Sequence, residues 1–253
     1  MKALEQPVYL PISAHLSELR KRLIIALVIF LATTSYCYME ADKIYSFLVL
    51  PLAELYADDN VHRLIYTGLT EAFFVYLKVA LYCGFFLAFP LIALQVYLFV
   101  APGLYKHERK IILPYFFFMP LLFIAGGLIA YYYVIPLAWK FFISFEYQHS
   151  NSLPIILEAR VSEYLSLVLS MILGFGIAFQ LPLILILLTQ FGWLKPQWLK
   201  KYRRHAIVGI FIIAAILTPP DVISQVTLAI PLMLLYELSV LICIRITKKN
   251  NHA

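Results

Sequence analysis

Charge is scarce in this sequence: Asp, Glu, Lys and Arg make up 13% of 253 residues, where a soluble domain carries roughly a quarter. Cysteine is scarce as well. Cys37, Cys83 and Cys243 each sit inside an apolar run and none shows a C-x-x-C spacing, so they read as small buried hydrophobes rather than disulfides or metal ligands. The six histidines, His15, His62, His107, His149, His205 and His252, fall in separate segments without H-E-x-x-H or other paired spacing, so no metal site is expected. G-x-S-x-G and Gly-rich phosphate loops are missing. An intramembrane protease would need a nucleophile with its base, or paired aspartates, at membrane depth, and Asp221 is the one Asp near a predicted span. These absences argue against an enzyme and against a resident cofactor. No internal repeat of the kind that marks many secondary transporters is visible, and no low-complexity linker, so 1–253 reads as one membrane domain.

What the chain has instead is apolar length. Its residues are 63% hydrophobic, gathered in runs separated by short charged clusters, and lipid is the solvent that suits such runs. Six spans are expected, at about 23–39, 72–101, 111–137, 165–191, 206–217 and 222–244, making an all-α polytopic membrane protein. The first follows Arg20, Lys21 and Arg22 like a signal peptide, but no small-x-small cleavage site comes after it, so it is expected to be retained. The second stops at Pro102-Gly103, two residues that end helices for steric reasons. The fifth and sixth are expected to be short. Twelve residues at 1.5 Å each cover about 18 Å of a hydrocarbon core roughly 30 Å thick. Two short spans and a re-entrant hairpin both fit; the charge pattern favours two spans.

The net charge of +6 raises the possibility of a nucleic-acid partner, yet the cations form no continuous basic surface or arm, so none is expected. They sort by loop. One side collects Lys2, Arg20, Lys21 and Arg22; Lys106, Arg109 and Lys110; Lys195, Lys200, Lys201, Arg203 and Arg204; and Arg245, Lys248 and Lys249. The other has only Lys43, Arg63, Lys140 and Arg160. This is the positive-inside pattern with both termini cytoplasmic. The two outer loops, about 40–70 and 138–164, mix apolar and charged residues and are expected to form short amphipathic or irregular caps.

Carboxylates on the basic side stand out. Leu16, Leu19 and Leu23 recur at helical spacing, which predicts an amphipathic helix over about 12–22 running into the first span, with Ser13 as a possible cap. Within it, Arg20, Lys21 and Arg22 serve at the least as topology anchors and Glu18 as a solvated charge. The loop Phe99-Val100-Ala101-Pro102-Gly103-Leu104-Tyr105-Lys106-His107-Glu108-Arg109-Lys110 again sets one carboxylate among cations, and an ordinary turn with Glu108 neutralised by its neighbours would account for it.

Read together, HLSELRKRL, TEAFFVYLK, FxAPGLYxHER, AFQLP and LTPPD followed by SQ and AIP resemble the TatC family from end to end. The resemblance implies a receptor and assembly scaffold of the twin-arginine translocase in a bacterial cytoplasmic membrane, or a membrane of bacterial descent. It implies twin-arginine signal peptides of folded cargo as ligands, TatB-like and TatA-like single-span partners, self-association within the complex, and the protonmotive force as energy source. Glu18, Arg20, Phe99 and Glu108 stand at the family's signal-peptide positions, supported by His15, Arg22, Pro102, Gly103 and Tyr105. Carboxylates suit that role, because they accept from arginine in a bidentate geometry that lysine cannot reproduce. Gln180 takes the place of the polar group, often Glu, in the family's fourth span. Gln cannot ionise, so its role is hydrogen bonding, to a partner helix, to water or within the chain. Pro219, Pro220 and Asp221 form the outer-face hairpin, and Leu69 replaces the usual Pro before T-E-A-F. Two rivals remain: a small-solute transporter using Lys78, Gln180 and Glu237, for which snorkelling is the plainer explanation of the two charges, and a purely structural subunit that tolerates charge changes at Glu18 and Glu108.

Overall fold

A chain whose apolar runs lie in lipid must satisfy its backbone within each segment, and helices do so without partners. The computed structural model follows that rule throughout residues 12–56, 63–103, 106–146, 157–217 and 222–251, which are the residues described. Helix α1 is Ile12–Met39, α2 Ala41–Leu55, α3 Glu71–Val100, α4 Lys106–Ile129 and α5 Ile135–Ile143. Then come α6 Val161–Ala178, α7 Leu181–Gln190, α8 Pro196–Lys201, α9 Arg203–Leu217 and α10 Val222–Asn251. The expected amphipathic segment and first span are one helix, and Ser13 lies inside its first turn rather than at a cap.

Among the described residues, five segments are long and apolar enough to cross a membrane: Ser13–Met39, Glu71–Gly103, Ile112–Ile143, Val161–Gln190 and Gln225–Lys248. The third joins α4 to α5 through a π turn, Ala130–Val134, just before Pro136, which lacks the N–H that would continue the ladder. The fourth joins α6 to α7 through Phe179 and Gln180, just before Pro182. Fifteen-residue α9 carries the expected short fifth segment. It reaches about 22 Å at 1.5 Å per residue. The sixth differs from expectation. It is not short, because α10 continues for 30 residues, its polar tail extending the hydrogen-bonded ladder beyond the apolar stretch.

Close backbone approach holds the helices together. The Thr33 hydroxyl on α1 donates to the Gly84 carbonyl on α3 at 2.9 Å. A Cβ at Gly84 would lie 2.5 Å from Thr34 Oγ1 and 2.7 Å from Thr34 Cα, so only glycine permits this crossing. The α4–α6 crossing works likewise, with Gly126 beneath the Phe175 carbonyl and Gly176 beneath the Phe123 ring. Phe123 also stacks on Phe89 of α3, ring centroids 3.8 Å apart, which knits three helices. Half of the fourth segment is buried against 11% of the first, so α6 is the centre of the bundle and α1 its lipid-facing flank. Leu23, Leu27 and Leu31 accordingly point outward.

One expected cap is helical: α2 lays Ala41, Leu48, Pro51 and Leu52 on the bundle. Tyr131 and Tyr164 donate to the Phe47 and Leu48 carbonyls, pinning it there. The second cap pairs with the first through a parallel bridge between Ile65 and Arg160. Leu69, in the turn before α3, is fully exposed.

Candidate functional site

The end of the bundle that carries the N-terminal half of α1 gathers most of the residues singled out in the sequence. Its geometry begins with helical periodicity: Glu18 and Arg22 lie four apart on α1, and the Arg22 Nε donates to Glu18 Oε1 at 2.7 Å. Such pairs contribute about 0.5 kcal/mol when exposed. Here Glu18 keeps a third of its surface and Arg22 less. Arg22 is further held from α3, its Nη1 donating to Gln95 Oε1 at 3.3 Å. One helical turn beyond Gln95, Phe99 stacks on His15, centroids 4.5 Å apart and planes at 27°. The α1–α3 crossing thus closes at its end with one polar and one aromatic contact. Arg20 projects into the open, and among the described residues no carboxylate pairs with it.

Beyond Phe99, α3 tightens into a 3-10 turn over Ala101–Gly103, with Pro102 and Gly103 exposed and Ala101 buried. Glu108 lies in the first turn of α4, on the far side of the same connection. Tyr105 lies outside the described residues. Arg109 Nε donates to the Tyr97 hydroxyl at 3.3 Å, fastening the start of α4 to α3. The structure therefore unites His15, Glu18, Arg22 and Phe99, sets Arg20 beside them on α1, and places Pro102, Gly103 and the backbone of Glu108 at the neighbouring turn. Chemically, a carboxylate with capacity for further hydrogen bonds and a half-buried aromatic suit a ligand that is cationic at one point and apolar next to it.

Sequence reading passed over two participants. Gln95 is a lone polar residue in an apolar run, and its position one turn before Phe99 puts it on the same face. Tyr97 carried no signal that could be separated from its apolar neighbours.

Gln180 and the Pro219-Pro220-Asp221 hairpin are not part of this site. The hairpin lies outside the described residues. Gln180 is buried between α6 and α4, its Nε2 donating to the Met119 carbonyl at 3.1 Å and to the Gly176 carbonyl at 3.3 Å. Of the alternatives left by the sequence, a bond within the chain is thus made, while Oε1 stays buried with no partner among the described residues. The three groups a solute site would need are kept apart: Lys78 donates to Ser166 at 2.7 Å, Glu237 pairs with Arg203 at 2.7 Å, and Gln180 bonds α4.

At the opposite end lies a cluster the sequence did not announce. Glu71 opens α3, and its Oε2 accepts from the backbone N–H groups of Thr67 and Gly68, at 2.9 and 3.1 Å. Its Oε1 accepts from the hydroxyl and the backbone N–H of Ser162, at 2.5 and 3.3 Å. Arg160 approaches to 3.6 Å and also donates to the Thr67 hydroxyl. The cluster ties both caps to two spans.

Comparison with known proteins draws these observations together. The family profile of TatC, the Sec-independent protein translocase protein, matches residues 14–231. A TatC from Rickettsia prowazekii is 53% identical over 229 residues, covering 90% of each chain. One from Aquifex aeolicus is 37% identical over 241 residues, covering 95% of this chain and 98% of its own. Among solved structures, a crystal structure described as the twin arginine translocase receptor TatC superposes with a TM-score of 0.79 at 37% identity, over 92% of this chain and 99% of that one.

Proposed function

The chain belongs to the TatC family of Sec-independent protein translocase proteins, and from that membership we propose that it is the receptor that binds twin-arginine signal peptides and the scaffold on which the translocase assembles. As a member it is a multi-pass membrane component of protein transport, not an enzyme. The observation that carries the receptor reading is the α1–α3 corner, where Glu18, Arg22, Gln95, His15 and Phe99 meet. Glu18 and Glu108 hold the arginine pair through charge-assisted, bidentate hydrogen bonds. Arg22 and Gln95 orient Glu18, while Phe99 packs on the apolar stretch that follows the arginines.

In this reading the chain crosses the bacterial cytoplasmic membrane six times, α9 being the short fifth crossing, with both termini cytoplasmic. The sorting of Lys and Arg to the Glu18 end supports that orientation. Single-span TatB-like and TatA-like proteins dock on its lateral faces, and copies of the chain associate within the complex. Transport draws on the protonmotive force, and short α9 thins the bilayer locally.

Photo-crosslinking in membranes tests the receptor role directly. Probes beside Glu18 and Glu108 should label a twin-Arg signal peptide but not its twin-Lys counterpart, and Glu108→Ala should abolish labelling. Equal labelling of both peptides by folded protein would move the binding site elsewhere and favour the structural-subunit reading.

A further inference from the structure

The loop between α7 and α9 carries a feature the receptor role does not use. Residues 195–204 contain Lys195, Lys200, Lys201, Arg203 and Arg204 and not one carboxylate. Arg203 is neutralised by Glu237. Lys195, Lys200, Lys201 and Arg204 are exposed, and among the described residues none of them has an acidic partner. Three large aromatics, Trp193, Trp198 and Tyr202, are 75%, 51% and 48% exposed alongside them.

This loop is rigidly presented. Gly192, at φ 73°, ends α7, and the amides of Trp193 and Leu194 return to the Leu188 carbonyl at 3.0 and 3.1 Å. Helix α8 buries Pro196 and Leu199, and the Tyr236 hydroxyl donates to the Leu199 carbonyl at 2.8 Å. The remaining side of α8 exposes Trp198, Lys200 and Lys201. Trp193 also forms one wall of an open, apolar groove of about 490 Å³, whose other walls include Val100, Gly103, Ile184 and Leu188.

An apolar groove with a tryptophan in its wall, followed along the chain by exposed cations that have no acidic partner among the described residues, has the two-part chemistry of a phospholipid with a negatively charged head. We propose that this loop binds an anionic phospholipid, an acyl chain lying in the groove against Trp193 and the phosphate held by Lys195 together with Lys200, Lys201 and Arg204. Tryptophan and tyrosine favour the headgroup level of a bilayer, and each cation near an anionic surface contributes about a fivefold gain in affinity. Lysine and arginine left without acidic partners are suited to an anion that lateral diffusion supplies in excess.

The test uses the full chain in lipid nanodiscs, with phosphatidylglycerol or phosphatidylcholine brominated along one acyl chain as quencher of tryptophan fluorescence. Brominated phosphatidylglycerol should quench at a mole fraction at least tenfold lower than brominated phosphatidylcholine, and Trp193→Phe should remove most of that quenching. Lys195→Gln/Lys200→Gln/Lys201→Gln/Arg204→Gln should erase the preference, and Lys195→Gln alone should reduce it about fivefold. Arg245→Gln/Lys248→Gln removes two charges from the same end of the bundle and should leave it intact. Equal quenching by the two lipids would overturn the proposal, as would equal losses in the loop variants and the α10 control, which would leave only the general charge of that end. Because binding is read without transport, the result stands apart from the receptor assignment.

Discussion

At the Glu71 end of the bundle one carboxylate at the start of α3 collects four hydrogen bonds and an arginine, and its donors come from both caps and from α6. At the Glu18 end the carboxylate takes one partner from its own helix, Arg20 beside it has no acidic partner among the described residues, and a glutamine reaches across from α3 to Arg22. Both ends begin with a glutamate near a helix start among cations. What separates them is saturation. Glu71 has no capacity left for a ligand and serves the fold, whereas Glu18 is oriented but still able to accept. A fixed, unsaturated acceptor is what recognition requires, and a saturated one is what a structural joint requires.

Substitutions at five positions would break or sharpen this contrast. The largest effect belongs to the Glu18 end: Glu18→Ala and Glu108→Ala should each weaken twin-Arg peptide binding about 10–100-fold, the range for losing a hydrogen bond to a charged group. Their thermal midpoints should stay close to the parent's, as fluorescence-detected unfolding in detergent would reveal. Glu71→Ala should do the reverse, lowering the midpoint by on the order of 5 °C, because its donors are left without an acceptor. Peptide affinity per folded molecule should not change; a parallel loss of both would erase the distinction between the ends. Gln95→Leu is milder. It frees Arg22 without removing it, so peptide titration should show a loss of a few-fold only, and Gln95→Glu should restore or exceed the parent. The smallest effect is expected at Gln180, where Leu removes two carbonyl contacts and one unpartnered oxygen together, changing stability by about 1 kcal/mol or less. A large defect in transport with stability preserved would show that the free Oε1 is used by another molecule.

Much of the fold was legible because lipid sets a simple rule of length. Apolar runs of twenty residues declared the spans, and a run of twelve declared the short α9. The length of α10 was not legible in the same way: hydropathy marks where lipid is, while the helix ladder runs on through Arg245, Thr247 and Lys248 wherever nothing terminates it. At the candidate site, motif resemblance named His15, Glu18, Arg22 and Phe99, but not that His15 and Phe99 touch. That contact depends on the register of α1 against α3, which Gly84 fixes far from either residue. Glu71 was invisible as a joint because Ser162 reaches it from 91 residues along the chain. Local spacing reports on a residue's own helix and is silent about what a distant segment brings to it.

The Thr33–Gly84 contact also sets a clock. The two residues are 51 apart in sequence, so a ribosome adding about 5–20 residues per second makes Gly84 roughly 3–10 s after Thr33. During that interval the nascent α1 lacks its α3 partner, and its outward leucines suit a lipid surrounding. Its docking on α3 is therefore a delayed event in biogenesis, and a bulkier residue at position 84 would strand a helix that had already been inserted.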